Sequence, residues 1–205
     1  MDMKRNETKM DQLRMLVKKS GILRTRDLAP LGIPAKYLGR LCEEGFLVRA
    51  GHGLYITASV PETAHLGLAQ AAKLIPKGVV CLLSALSFHE IGTQLPHEVW
   101  IALDRRAAHP RAAVSMHIRV VRFSGKALAE GVEVHDIGGV PVRVYDPAKT
   151  VADCFKYRNK IGMDVALEAL REALRERKCT RDDLWRHATT CRVANVMRPY
   201  LEALS

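Results

Sequence analysis

The 205-residue chain is predicted to adopt an α+β fold, and three patterns in its sequence carry that prediction. Residues 22–57, ILRTRDLAPLGIPAKYLGRLCEEGFLVRAGHGLYIT, read as a short helix, a turn, a second helix and a two-stranded hairpin. Between residues 99 and 145, valine and isoleucine alternate with polar residues, the period of half-buried strands. From residue 146 onward apolar side chains recur at helical spacing. Together these give an N-terminal winged helix-turn-helix domain over residues 1–60. A mixed domain follows over 61–205, with a small antiparallel sheet and a C-terminal helical bundle.

The first helix is expected over residues 7–19, where Met10, Leu13, Leu16 and Val17 share one face and Ser20-Gly21 ends the run. Thr25 is expected to cap the next helix, which turns Leu28 inward and breaks at Gly32. Pro34 then suits the first position of a helix. Along that helix Leu38, Leu41 and Cys42 fall at i, i+3 and i+4, one buried stripe. The opposite face offers Ala35, Lys36, Gly39 and Arg40, with Tyr37 at the border. Small residues there allow close approach, and Lys36 and Arg40 supply charge for phosphate or guanine. Gly45 ends the helix. Phe46–Val48 and Leu54–Ile56 read as strands joined by Arg49-Ala50-Gly51-His52-Gly53. In such a unit the second helix is shaped for a DNA major groove, although the same element order also serves protein docking.

Charge favours DNA. The chain holds 32 Lys and Arg against 22 Asp and Glu, a net of +10 with a pI near 9.6. Residues 1–60 hold 11 basic and 6 acidic side chains, while 61–205 hold 21 and 16, so positive density is highest where the motif lies. A surface of that kind gains by releasing counterions from DNA.

Composition also narrows the cellular setting. Val79–Leu83 is the longest apolar run, too short to span a bilayer, and the charged start does not resemble a secretion signal. Cys42, Cys81, Cys154, Cys179 and Cys191 are odd in number and without CxxC spacing, so reduced thiols are expected. The reading is a cytoplasmic protein with no membrane partner and no cofactor. Lacking a coiled-coil seam, it is expected to be a monomer or weak oligomer.

In the second part, a linker near Ala58–Pro61 precedes a helix over 62–75 that Pro76-Lys77-Gly78 stops. Residues 79–91, VVCLLSALSFHEI, are apolar nearly all round and read as a buried helix. Strands are expected over Val99–Leu103 and Ile118–Phe123. Val132–Ile137 and Val140–Tyr145 flank Gly138-Gly139, a strong hairpin signal. Asp146-Pro147 is an N-cap followed by proline, launching a helix with Val151, Cys154 and Phe155 inward. Helices are expected over 163–177 and 193–204, with a third opened by Thr180 and Asp183 in a capping-box pattern.

Chemistry-bearing constellations are few. The histidines lack metal-ligand spacing, and no catalytic serine elbow, P-loop or GxGxxG is present. Asp136, Asp146, Lys149 and Asp153 form the set for an alternative reading, a nucleic-acid-processing enzyme delivered to DNA by the winged domain. Capping by Asp146 and helical pairing of Asp153 explain the same residues structurally. A third reading is a ligand-sensing regulator. A second basic region holds Arg105, Arg106, Arg111, Arg119, Arg122 and Lys126, with only Glu98 and Asp104 as acids nearby. A solvated sheet face and a binding surface for nucleic acid or an acidic partner are equal readings of it.

Three segments carry a resemblance to a known family: GIPAKYLGRLCEEGFLVRAGHGLY, LLSALSFHEIG and YDPAKTVADCFKYRNKIGMDVALEALREAL. The chain resembles the AbiEi family, the antitoxins of type IV toxin–antitoxin systems linked to abortive phage infection. One departure is His52, where the wing of these proteins often carries arginine. The resemblance implies a bifunctional bacterial protein. Its winged domain would bind repeats in its own promoter and repress the operon, and its C-terminal domain would counteract a cognate nucleotidyltransferase-like toxin. Carried onto this sequence, the DNA-facing residues are Lys36, Tyr37 and Arg40 on the second helix, with Arg49 and His52 on the wing. Arg24 and Arg26 would hold phosphate. Lys156, Tyr157 and Arg158 are candidates for the C-terminal function, with packing an equal explanation.

Overall fold

A capping box opens the first helix. Thr8 Oγ1 accepts from the Asp11 amide at 3.2 Å and the Asp11 carboxylate accepts from the Thr8 amide at 3.2 Å, so α1 (Lys9–Ser20) starts with two otherwise orphaned donors satisfied. The computed structural model describes residues 8–51, 53–58, 65–110 and 117–204. The linker residues 59–61, Arg111 and His52 lie outside the described residues. By contact the chain divides into two units, one of Met1–Pro76 with Asp136–Pro141 and one of Lys77–His135 with Val142–Ser205.

In the first unit, Gly21 turns the chain from α1 into a short strand, β1 (Ile22–Arg24), which the sequence pattern did not mark. A 3-10 helix follows over Thr25–Leu31. Its cap is Arg24 rather than Thr25, because the Arg24 amide donates to the Asp27 carboxylate at 3.0 Å. Gly32, at φ 60° and ψ 26°, ends it in the left-handed conformation. α2 (Lys36–Glu43) begins just after Pro34, whose carbonyl accepts from the Tyr37 amide at 3.1 Å. The wing strands are β2 (Leu47–Gly51) and β3 (Leu54–Thr57), so Arg49 stands within a strand rather than at the tip. The sheet order is β1-β3-β2, antiparallel throughout, with Ile22 opposite Ile56, Arg49 opposite Tyr55 and an irregularity between Arg49 and Gly51.

Leu13 and Val17 of α1, Leu28 of the 3-10 helix, Leu38 and Leu41 of α2 and Leu47 of β2 share one buried cluster. Burying these six side chains contributes roughly 1.5–3 kcal/mol each before entropy is subtracted. α3 (Leu66–Leu74) belongs with this unit, not with the second domain expected from residue 61. The reason is polar: the Arg24 guanidinium donates to the Lys73 and Leu74 carbonyls at 2.7 and 3.2 Å, and Lys73 Nζ reaches Asp27 at 3.0 Å. Those bonds satisfy carbonyls at the helix end that would otherwise lack partners.

The second unit is built on a five-stranded sheet of order β6-β5-β4-β8-β7. Its strands are β4 (Val79–Val80), β5 (Val99–Asp104), β6 (Ile118–Phe123), β7 (Val132–Ile137) and β8 (Val140–Tyr145). β4 pairs antiparallel with β5 and parallel with β8, and β5 pairs parallel with β6 from Val99↔Ile118 to Asp104↔Phe123. Gly138 and Gly139, at φ 60° and 77°, supply the two positive φ values that a tight hairpin turn of type I′ needs. The expected single buried helix over 79–91 is split. Val79 and Val80 are β-branched and enter the sheet, Cys81 is extended, and only α4 (Leu82–Phe88) is helical.

After the short helix α5 (Lys126–Ala129), the helical part runs α6 (Pro147–Lys156), α7 (Arg158–Ile161), α8 (Met163–Arg175), α9 (Arg181–Thr190) and α10 (Ala194–Ala203). α6 is the centre of the unit: every residue from Ala148 to Phe155 is buried, and α4, α8, α9 and α10 pack around it. The Thr180–Asp183 capping box forms at the start of α9. The fold is α+β, as the sequence patterns indicate.

Candidate nucleic-acid interface

The face of α2 opposite its buried stripe carries the candidate contacts. Leu38 and Leu41 are fully buried, and this fixes the rotation of the helix about its axis. Ala35, Lys36, Gly39 and Arg40 are consequently exposed, as the helical period requires. Tyr37 is half-buried against the core cluster, and Lys36 Nζ stands 5.9 Å from its ring centroid. Tyr37 thus works as a border residue that steadies Lys36. Gly39 has no packing reason to be glycine: its backbone is helical, and a Cβ built on it meets nothing within 4 Å. A glycine inside a helix costs roughly 0.5–1 kcal/mol against alanine, so its use on this face points to close approach by something outside the protein.

The other sequence candidates divide. Arg26 and Arg49 are exposed, and Arg49 Nε makes a 3.4 Å contact with the Gly51 carbonyl within its own wing. Arg24 is occupied internally by α3, and burial lowers its pKa further, so its guanidinium is a structural tie. The Arg24–Asp27 spacing, an acid three residues on, was the sequence sign of that local structure. His52 is among the residues outside the description.

The second basic region breaks up in the same way. Arg105 and Arg106 are exposed beyond the end of β5. Arg119 lies over the Trp100 ring at 4.6 Å and pairs with Glu98 at 2.5 Å. Arg122 donates to the Asp104 and Ala107 carbonyls at 3.0 and 2.8 Å. Two of the four guanidinium groups therefore hold the sheet together, which favours the reading as a structured sheet face. Lys156, Tyr157 and Arg158 are also engaged: Lys156 Nζ donates to the Cys191 carbonyl at 2.7 Å, the Tyr157 hydroxyl to Arg122 O at 3.3 Å, and Arg158 to Phe155 O at 2.8 Å.

The acidic set is a packing network. Lys149 is fully buried and its Nζ lies 2.5 Å from Asp153, itself 1% exposed, and 4.0 Å from the Tyr145 ring centroid. Cys191 Sγ donates to the other Asp153 oxygen at 3.2 Å. Burial pushes the Asp153 carboxyl up and Lys149 works against it, with the net shift upward. Asp146 caps α6 by accepting from the Lys149 amide at 2.7 Å. Its second oxygen faces His187 Nε2 at 3.2 Å without hydrogen-bond alignment. Burial raises Asp146, yet the His187 ring and the Lys149 amide outweigh it and the net pKa lies below the ordinary carboxylate value. Asp136 is exposed and accepts from the Gly139 amide at 2.9 Å in the hairpin turn. Neither Lys149 nor Asp153 is reachable by a substrate in this arrangement. Among the described residues no group of His, Cys, Asp and Glu is placed to hold a metal ion.

The first unit thus combines a helix-turn-helix with wing strands, and the outer face of its second helix is basic and exposed. Residues 11–58 match the family model described as transcriptional regulator, AbiEi antitoxin. No curated protein matches the chain. Among solved structures it is similar to the crystal structure of the RV2827C protein from Mycobacterium tuberculosis. The identity is 14% and the TM-score 0.57, over 98% of this chain and 81% of that one. At that identity the likeness is one of fold. Among the described residues no helix is long and apolar enough to cross a membrane.

Proposed function

We propose that the protein binds double-stranded DNA in its own promoter through α2 and represses the operon. In the same reading, its second unit counteracts a cognate nucleotidyltransferase-like toxin. The observation that carries the DNA half is the exposed face of α2, where Lys36 and Arg40 flank a glycine that packing does not require. Arg40 is the base-reading candidate, because arginine matches guanine O6 and N7 bidentately. Lys36, Arg26 and Arg49 supply phosphate contacts that set register. The antitoxin half rests on the family to which the winged unit is matched.

The test is a promoter–reporter strain carrying the adjacent toxin gene under separate control. Arg40→Ala is expected to relieve repression and to leave toxin neutralisation in place. Loss of both activities by a folded Arg40→Ala protein would contradict the division of labour between the units. Unchanged repression would contradict the role of α2.

A further inference from the structure

A cleft of about 560 Å³ opens in the second unit where the end of β6, the ends of α6 and α9 and the start of α5 meet. Its size is that of a small-molecule site, typically about 300–1,000 Å³. Three cationic side chains line it, Lys126, Lys156 and Arg192, and no acidic side chain does. Hydroxyls of Ser124, Thr189 and Thr190 complete the polar lining, with Thr189 already donating to the Trp185 carbonyl at 2.9 Å and Thr190 to Glu130 at 2.7 Å. Ala127 is the sole alkyl side chain there and no aromatic ring is present, so the cleft offers nothing for a base or an acyl chain to stack on.

Three details favour an anion. Lys156 Nζ bonds the Cys191 carbonyl just beyond α9, which offsets the negative pole of that helix and leaves two ammonium donors for another partner. Among the described residues the Lys126 and Arg192 side chains have no hydrogen-bond or ion-pair partner. The positive φ of Arg192, 60°, closes α9, with the Val193 amide donating to the Ala188 carbonyl at 2.8 Å. Gly125, at φ 55°, has open space where a Cβ would stand, so a ligand can meet the backbone there.

We propose that this cleft binds a small, phosphate-dense anion: an oligophosphate chain, free or as the tail of a nucleoside triphosphate. Three cations and the Ser124 hydroxyl converging without an apolar wall recognise a chain of phosphate oxygens, and a concave site suits a small ligand better than a polymer backbone. The site is independent of the DNA-binding reading, since it lies wholly within the other unit.

The experiment is calorimetric titration of the full chain with inorganic tripolyphosphate, ATP and adenosine at physiological salt. Tripolyphosphate and ATP are expected to bind with similar affinity and adenosine not at all. Lys126→Ala combined with Arg192→Gly is expected to weaken both ligands by about tenfold or more. Glycine accepts the positive φ of residue 192, so the melting temperature of that variant should not fall. Lys36→Ala with Arg40→Ala, on the winged unit, should leave both affinities unchanged. Absence of binding, full affinity in the cleft variant, or a loss that follows the Lys36 and Arg40 substitutions instead would each overturn the proposal. Tight ATP binding without tripolyphosphate binding would overturn it too, by showing that the base is what is read.

Discussion

Gly39 separates what the fold needs from what the proposed DNA contact would use. It sits in a helix, on an exposed face, with free space in place of its side chain. Gly39→Ala is therefore expected to stabilise the protein by roughly 0.5–1 kcal/mol in denaturant melts and at the same time to weaken operator binding. A variant that is more stable and binds as tightly would remove the close-approach argument. Arg40→Ala is expected to cost about 1–3 kcal/mol on the operator and less on random duplex, the mark of a base contact rather than a phosphate contact. In the second unit, Lys149 and Asp153 compensate each other's charge in the core. Lys149→Met alone should lose about 3–5 kcal/mol by stranding a buried carboxylate, and adding Asp153→Leu should recover most of that, measured by chemical denaturation. If the single and double variants are equally stable, the pair is not coupled. Asp146 behaves differently, because its folded pKa lies below that of the unfolded chain. Its ionised form contributes stability above the unfolded value near 3.9, and this is lost as the pH falls through the lower folded value. Asp146→Asn retains a cap but not the charge, so its stability deficit at neutral pH should shrink below about pH 4.

At the scale of elements, the sequence was most legible where one physical signal acted alone. Val132–Ile137, Gly138-Gly139 and Val140–Tyr145 announced a hairpin by alternation and turn chemistry, and the hairpin is there. Asp146-Pro147 and Thr180–Asp183 announced helix starts through capping, which is local and so readable. Legibility failed where tertiary partners decide. Val79–Val80 looks like the start of a buried helix, but it becomes a strand because β5 and β8 offer ladder bonds on both sides. The parallel pairing of β5 with β6 has no local signature, since the two strands are joined by a long excursion. The candidate site followed the same rule. Lys36 and Arg40 were readable because helical period places them opposite Leu38 and Leu41, whereas Arg24, Arg119 and Arg122 looked free in one dimension and are tied down in three. The anion cleft draws on α5, α6, α9 and the residue after α9, so sequence could offer Lys126 and Lys156 only singly.

On the scale of the whole molecule, a net charge of +10 sets how the protein meets any polyanion. Attraction of that kind is nonspecific and falls steeply with salt, so only a difference between sequences at matched salt reports recognition. Each phosphate contact removed, as by Lys36→Ala, should lower the salt slope by about 0.9 on both specific and random duplex. The decisive measurement is an anisotropy titration of the full chain on a duplex from its own promoter, with a scrambled duplex alongside and salt varied for both. The expected result is tighter binding to the promoter at every salt concentration, with the preference reduced in Arg40→Ala. Equal affinity for the two duplexes, unchanged by Arg40→Ala, would contradict the assignment of α2 as a sequence-reading helix.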